Sequence, residues 1–183
     1  IDLHAKILDM MGCGNDSVIV IHGGSKQDGQ EEALKRLSNN FFKLSESSQK
    51  RLVLENCEMA YSIEDLLPIS EKLKIPIVID HHHHNINPGT IKSEQELINI
   101  TNRVLDIWKS RDITPLFHLS ESRKGVKKTD SITARRAHSD YVEKLPESLI
   151  YILKNGVKIN LDIEAKMKEQ AVLILQEKYN IKN

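Results

Sequence analysis

The sequence predicts an α/β fold in which a parallel sheet is covered by helices, and three observations predict it. Short, wholly apolar runs such as Val18-Ile19-Val20-Ile21 and Ile75-Pro76-Ile77-Val78-Ile79 recur along the 183 residues. Between them, apolar residues return at helical spacing, and the alternation repeats five times. Strands apolar on both faces and separated by helices are the signature of a parallel sheet buried on both sides. An open doubly wound sheet and a barrel both satisfy that pattern. A complete barrel wants about 250 residues, so a barrel here would lack about three of its eight units.

The elements follow in order. Leu3, Ile7, Leu8 and Met11 share one helical face, and the helix should stop at Gly12 or Gly14. Val18 to Ile21 is a strand ended by His22-Gly23-Gly24. A second helix begins over Glu31 to Ser38, with Ala33, Leu34 and Leu37 facing the core, and runs on towards Leu44. Arg51 to Leu54 is a strand closed by Glu55-Asn56. Ser62 with Asp65 forms a capping box for the helix carrying Leu66, Leu67, Ile69 and Leu73. Ile75 to Ile79 is a strand ending in Asp80 and the run His81-His82-His83-His84. Ser93 with Glu96 caps a long amphipathic helix whose stripe is Leu97, Ile100, Val104, Ile107 and Trp108. A strand at Thr114 to Phe117 ends in His118, and a helix from Tyr141 to Leu153 passes Pro146. After Gly156, Val157 to Ile163 is the fifth strand and Ala165 to Tyr179 the last helix.

Composition sets the boundaries. The formal net charge is +0, from 26 Lys and Arg against 26 Asp and Glu, so charge has to be read by segment. Ser120 to Ala137 has no clean period and carries Arg123, Lys124, Lys127, Lys128, Arg135 and Arg136 against Glu121 and Asp130. Two cysteines, Cys13 and Cys57, are too few for a disulfide scaffold or a paired-thiol zinc knuckle, which fits a reducing compartment. Apolar runs fall far short of the about 20 residues a membrane span needs. The start at Ile1 leads to the expectation that the chain begins inside a larger protein.

The position of the ionisable residues carries the functional signal. His22, Glu55, Asp80, His118 and Glu164 each stand at or just beyond the C-terminal end of a different strand segment. In parallel α/β folds those ends converge on one edge, where active sites are built. Any one of these residues could be a cap or a surface side chain. Imidazoles and carboxylates brought together on apolar strands are costly unless paired or bound to metal. Imidazole and carboxylate without thiolate suit Zn²⁺, Mn²⁺, Co²⁺ or Fe²⁺. So many ligands exceed the needs of one ion, and two or three divalent ions are expected. The four histidines lie mid-chain, unlike a terminal tag, and an extended backbone would let only some of them face the site with Asp80. Bound ions would acidify a water and neutralise phosphoryl oxygens, so phosphoester hydrolysis fits, although sugar isomerisation uses similar metals. The basic segment after His118 belongs to a loop over the same rim and could clamp a phosphate backbone. Gly23-Gly24 lacks a full dinucleotide fingerprint or P-loop lysine, and reads as room for close backbone approach.

In this order the motifs His22-Gly23-Gly24, Glu55-Asn56, Asp80-His81-His82-His83, His118-Leu119-Ser120, Arg136-Ala137-His138-Ser139-Asp140-Tyr141 and Asp162-Ile163-Glu164-Ala165-Lys166 resemble the UV damage endonuclease family. The resemblance runs through nearly the whole chain but covers only the later part of the family's barrel. It implies an α/β fold of the TIM-barrel type, incomplete, with about five β-α units and the first strands missing. Residues 1–183 would form one domain, the C-terminal part of such a barrel. The implied activity is metal-dependent hydrolysis of DNA immediately 5′ to UV photoproducts. His22, Glu55, Asp80, His83, His118 and Glu164 would be the metal ligands, with His138 close to the cleaved phosphate and Glu55 and His118 joining it in catalysis. Lys127, Lys128, Arg135 and Arg136 are expected on the DNA backbone. Mn²⁺ is the expected ion, with Zn²⁺ or Co²⁺ as substitutes, and the expected partner is double-stranded DNA with UV lesions, not a membrane. A monomer is expected at full length, in a bacterial cytoplasm beside the nucleoid or in a eukaryotic nucleus. The family places a lysine two positions before its histidine, where this chain has Leu116. The parent protein is expected to be the enzyme, with the isolated fragment weak or inactive; a metal-dependent sugar isomerase or epimerase of the same barrel type, or a non-catalytic barrel fragment, are the alternatives.

Overall fold

In a computed structural model that describes residues 1–181, five strands form one sheet in the order β1-β2-β3-β4-β5, every neighbour parallel. The strands are β1 (Ile19–His22), β2 (Leu52–Glu55), β3 (Ile77–Asp80), β4 (Leu116–Leu119) and β5 (Asn160–Ile163). Strand order equal to chain order is the winding of a β/α barrel; a doubly wound sheet reverses direction partway. The helices are α1 (Asp2–Met10), α2 (Gln30–Phe41), α3 (Glu46–Arg51), α4 (Ile63–Leu73), α5 (His81–Ile86), α6 (Glu94–Ser110), α7 (Ile132–Arg135), α8 (Glu147–Lys154) and α9 (Glu169–Tyr179).

Burial falls from the middle of the sheet outwards. All of β2 and β3 is buried, whereas β1 is only partly covered and Asn160 and Asp162 of β5 are exposed. Ile77, Ile79, Leu52, Leu54, Phe117 and Trp108 are essentially inaccessible. Trp108 satisfies its indole N–H by donating to the Ile77 carbonyl at 2.8 Å, which locks α6 onto β3. At the opposite end from the strand C-termini, the Arg111 guanidinium donates to the Lys74, Gln49 and Lys50 carbonyls, closing the ends of α4 and α3. Buried Arg51 ties α1 to the chain before β1, through Asp9 at 2.7 Å and the Cys13, Gly14 and Ser17 carbonyls. No helix among the described residues is long and apolar enough to cross a membrane.

Several boundaries differ from the sequence reading, each for a local reason. The helix placed from Tyr141 is absent before Glu147: Pro146 is the N-cap of α8, because a proline lacks the N–H that a helix interior requires. Arg51 ends a short helix instead of opening β2, since Ser45 caps that helix by accepting from Ser48 N–H. Strand β4 extends through His118 to Leu119, and β5 starts at Asn160, not Val157. The last helix begins at Glu169. Ser62 and Asp65 form the full reciprocal box, but the Glu96 carboxylate accepts from Lys92 N–H in place of the Ser93 N–H. The four histidines lie on a helix, α5, and not on extended backbone.

Candidate metal centre

Register places the first donors. His22 pairs with Glu55 across β1 and β2, and Asp80 pairs with His118 across β3 and β4, so strand ends alone bring four polar side chains to one rim. Glu55 is the hub. Its Oε2 lies 3.1 Å from His22 Nε2, and its Oε1 lies 3.0 Å from His118 Nδ1 and 3.7 Å from His83 Nδ1.

Asp80 is held by its neighbour strand. The buried Asn56 amide continues the parallel ladder with a side chain: its Nδ2 donates to the Asp80 carbonyl at 3.0 Å, and its Oδ1 accepts the Asp80 N–H at 2.9 Å. The Asp80 carboxylate then caps α5, with Oδ1 accepting His83 N–H at 2.8 Å. Its Oδ2 is buried, 3.6 Å from His83 Nδ1, and makes no hydrogen bond. A buried carboxylate oxygen without a donor is expensive unless a cation completes it.

Helical geometry disperses the histidine run. His83 sits three residues after Asp80 and faces the centre, with Nδ1 also 3.0 Å from the Asn56 carbonyl. His82 packs edge-on against His138 with ring centroids 5.3 Å apart. His81 stacks on Phe117, and its burial, with repulsion from His84, pulls its pKa down to about 3. His84 lines a cavity of about 390 Å³ behind α5. One of four histidines therefore meets Asp80 at the centre, because successive helical residues step round the axis by about 100°.

Glu164, just past β5, brings Oε1 to 3.6 Å from His118 Nδ1. Its backbone carbonyl lies 2.7 Å from His138 Nδ1, which seats that histidine at the rim. Arg136 reaches inwards to Glu58. Arg135 turns away, towards the Ile86 carbonyl at 3.5 Å, and Lys128 lines a cavity beside α5 and α6. Lys127 caps its own loop through its backbone N–H to Asp130 at 2.8 Å. The basic residues thus divide: Arg136 joins the centre, and Arg135, Lys127 and Lys128 lie outside it.

Two residues near the centre have no role assigned by the sequence: Asp162, which stands there only as part of a motif, and Glu58. Asp162 stands opposite His118 in register, with Oδ2 3.8 Å from His118 Nε2, and the period of two along β5 could have found it. Glu58 lies beyond β2 on irregular backbone, where no period applies, and places Oε2 3.6 Å from His83 Nε2.

The electrostatics follow from this packing. Burial would raise the Glu55 pKa, but hydrogen bonds from His118 and His22 outweigh it and hold the carboxyl at about 2. The Glu55 hydrogen bond raises His22 against the opposing effect of burial. Burial likewise works to lower His118, and its hydrogen bond and attraction to Glu55 win, raising it. Two triads have ligand atoms within 4.8 Å of one another, His22-Glu55-His83 and Glu55-Asp80-His118. Carboxylate and imidazole donors of this kind, one of them with a buried unpartnered oxygen, fit divalent ions. Gly23, just past β1, lets the chain pack against Tyr61: a Cβ there would meet the Tyr61 ring at 2.8 Å.

Consecutively wound parallel strands with acids and imidazoles gathered at their C-terminal ends define a segment of a β/α barrel carrying a metal-type centre. The chain belongs to the UV-endonuclease UvdE family, whose sequence model matches residues 1–183. It is 38% identical over 185 residues to the UV-damage endonuclease of Schizosaccharomyces pombe, an alignment covering 98% of this chain and 29% of that protein. The UV DNA damage endonuclease of Bacillus cereus is 33% identical over 174 residues, covering 94% of this chain and 51% of that protein. The crystal structure of SacUVDE matches with a TM-score of 0.75 at 31% identity, covering 97% of this chain and 56% of that one. The chain therefore spans about half, or less, of the relatives it matches.

Proposed function

We propose that the protein is a metal-dependent DNA-repair endonuclease that hydrolyses the phosphodiester immediately 5′ to UV photoproducts in duplex DNA. One observation carries the reading: Glu55 is shared by two ligand triads at the C-terminal rim, the arrangement a multi-ion phosphodiesterase centre needs. Family membership supports the substrate class.

His22, Glu55, Asp80, His83, His118 and Glu164 would hold two or three divalent ions, Mn²⁺ in preference, with Zn²⁺ or Co²⁺ as substitutes. When bound, such ions acidify water and offset charge developing on phosphoryl oxygens. The chain's own residues do the rest. Glu55 and Asp80 are oriented before any ligand arrives, by His22 and His118 for the first and by Asn56 for the second. His138, fixed through Nδ1 on the Glu164 carbonyl, would present Nε2 to the cleaved phosphate and exchange a proton there. Arg136 would bind a phosphate of the same strand, while Arg135, Lys127 and Lys128 would meet the duplex further out. Lesions would be selected because damaged, weakly stacked bases bend and extrude at lower cost. The 1–183 segment would act as the C-terminal part of a single barrel domain, monomeric at full length, in a bacterial cytoplasm or a eukaryotic nucleus.

The test is incision of defined duplexes carrying a cyclobutane dimer, an abasic site or no lesion, with Mn²⁺, by the chain alone and by the chain joined to the N-terminal half of a matched relative. Cutting 5′ to the dimer by the joined protein is expected, with little from the chain alone. Cutting only at abasic sites, or none in a joined protein that holds its metals, would overturn the reading. Turnover of a sugar by the latter would favour an isomerase.

A further inference from the structure

Among the described residues, Glu58 is an acidic side chain that the proposed chemistry does not use, yet it is almost wholly buried, with 4% of its side chain exposed. A carboxylate taken so far out of water requires a partner of opposite charge. Its Oε1 forms an ion pair with Arg136, 2.5 Å from Nε. Its Oε2 lies 3.6 Å from His83 Nε2, on the far side of the ring from the nitrogen that faces Glu55 and Asp80.

Arg136 has the opposite character. Its side chain is 55% exposed, and it stands at the end of α7 in the loop that follows β4. The backbone around it is pinned on both sides: the Arg135 carbonyl accepts from the Ser122 hydroxyl at 2.7 Å, and the Ala137 carbonyl accepts from Arg123 N–H. Nε is the guanidinium nitrogen paired with Glu58, and the two terminal nitrogens of the fork have no partner among the described residues. A guanidinium held by one edge is pre-organised to offer its free nitrogens to an anion in a fixed plane.

We propose that Glu58 is a positioning residue that aims the Arg136 fork at a backbone phosphate beside the metal centre. The proposal rests on the DNA reading above, and assigns to this acid a role in substrate binding exerted through the arginine. Without Glu58, Arg136 would keep its charge but lose its fixed plane, so each phosphate contact would have to offset the entropy of ordering a long side chain. The two effects of removing Glu58 have opposite signs. Deleting a negative charge close to a phosphate site strengthens binding by electrostatics alone; loss of positioning weakens it.

The experiment is the affinity of the Mn²⁺-loaded chain, joined as above to the N-terminal half of a matched relative, for a short labelled duplex carrying one cyclobutane dimer, measured by anisotropy across a salt series. Wild type, Glu58→Met, Glu58→Gln, Arg136→Ala and the Glu58→Met/Arg136→Ala pair would be compared. Glu58→Met is expected to weaken binding about tenfold, close to the loss from Arg136→Ala, with no further loss in the pair. Glu58→Gln, which keeps an acceptor for Arg136, should fall between wild type and Glu58→Met. Melting curves and Mn²⁺ stoichiometry identify any variant that has merely unfolded, and Glu58→Gln then carries the test. Glu58→Met binding as tightly as wild type or tighter, with Arg136→Ala weakened, would overturn the proposal and leave the DNA reading intact. Unchanged affinity in Arg136→Ala would overturn the phosphate role of Arg136 together with the proposal. No duplex binding by wild type would overturn the DNA reading itself.

Discussion

The middle of the sheet and its two edges hold the same kinds of side chain under different conditions. Glu55, Asp80 and His118, on β2, β3 and β4, are each less than a tenth exposed and fixed by hydrogen bonds. His22 on β1 and Glu164 after β5 keep 47% and 37% of their side chains exposed. The inner strands have neighbours on both sides and helices above; the outer ones have an unpaired edge. A ligand in the middle is set by the packing of this chain, whereas a ligand at an edge also depends on whatever covers that edge. The centre should therefore tolerate loss of an edge ligand far better than loss of an inner one.

The largest expected effect is at the shared hub. Glu55→Gln removes a carboxylate from both triads and should lower Mn²⁺ affinity by more than about a hundredfold, whereas His22→Ala should cost about tenfold. Competition against a fluorescent chelator measures both, and equal losses would erase the distinction between middle and edge.

Next comes stability. Asn56→Leu strands the Asp80 N–H and carbonyl in the core, and should cost about 2–3 kcal/mol in denaturant unfolding of the metal-free protein. Replacing Asp162 at the exposed edge should cost less than about 0.5 kcal/mol.

The pH dependence sharpens the same contrast. With a pKa held at about 2 against an ordinary 4.5, Glu55 stabilises the metal-free fold above pH 4.5 and loses that contribution as pH falls towards 2. His22 and His118 are raised above 6.5, so their contribution is complete below that value and lost as pH climbs through their raised values. Melting in a chelating buffer should show greatest stability between about pH 4.5 and 6.5 from these groups, and Glu55→Gln should flatten both limbs. A profile unchanged by the substitution would contradict the hub. The smallest effect is kinetic: amides of β1 and β5 should exchange with solvent faster than those of β2 and β3.

The strands were legible in the sequence because each is a short apolar run closed by a polar residue, and the site because those polar residues fall at equivalent points of successive units. Periodicity could not reveal that α5 is a helix, since His81 to Ile86 contains neither an apolar stripe nor a helix former to declare it. The cap supplied by Asp80 decides it, and that cap is also a candidate ligand, so one residue carries both signals. Pro146 was visible, but its place at a helix start and not within a helix depended on the chain before it packing as a loop, with Leu145 N–H donating to the Tyr179 hydroxyl. Asn56 read as the end of a strand; its pairing with the Asp80 backbone requires β3 to lie alongside, which no local pattern encodes. Glu58 escaped for the same reason, because its partners Arg136 and His83 come from distant segments.

The most direct test counts ions. Titration of the protein with Mn²⁺, followed by paramagnetic resonance, should give at least two tightly held ions in wild type, and loss of both in Glu55→Gln although the variant remains folded. Full Mn²⁺ stoichiometry in folded Glu55→Gln would contradict a centre built around that shared carboxylate.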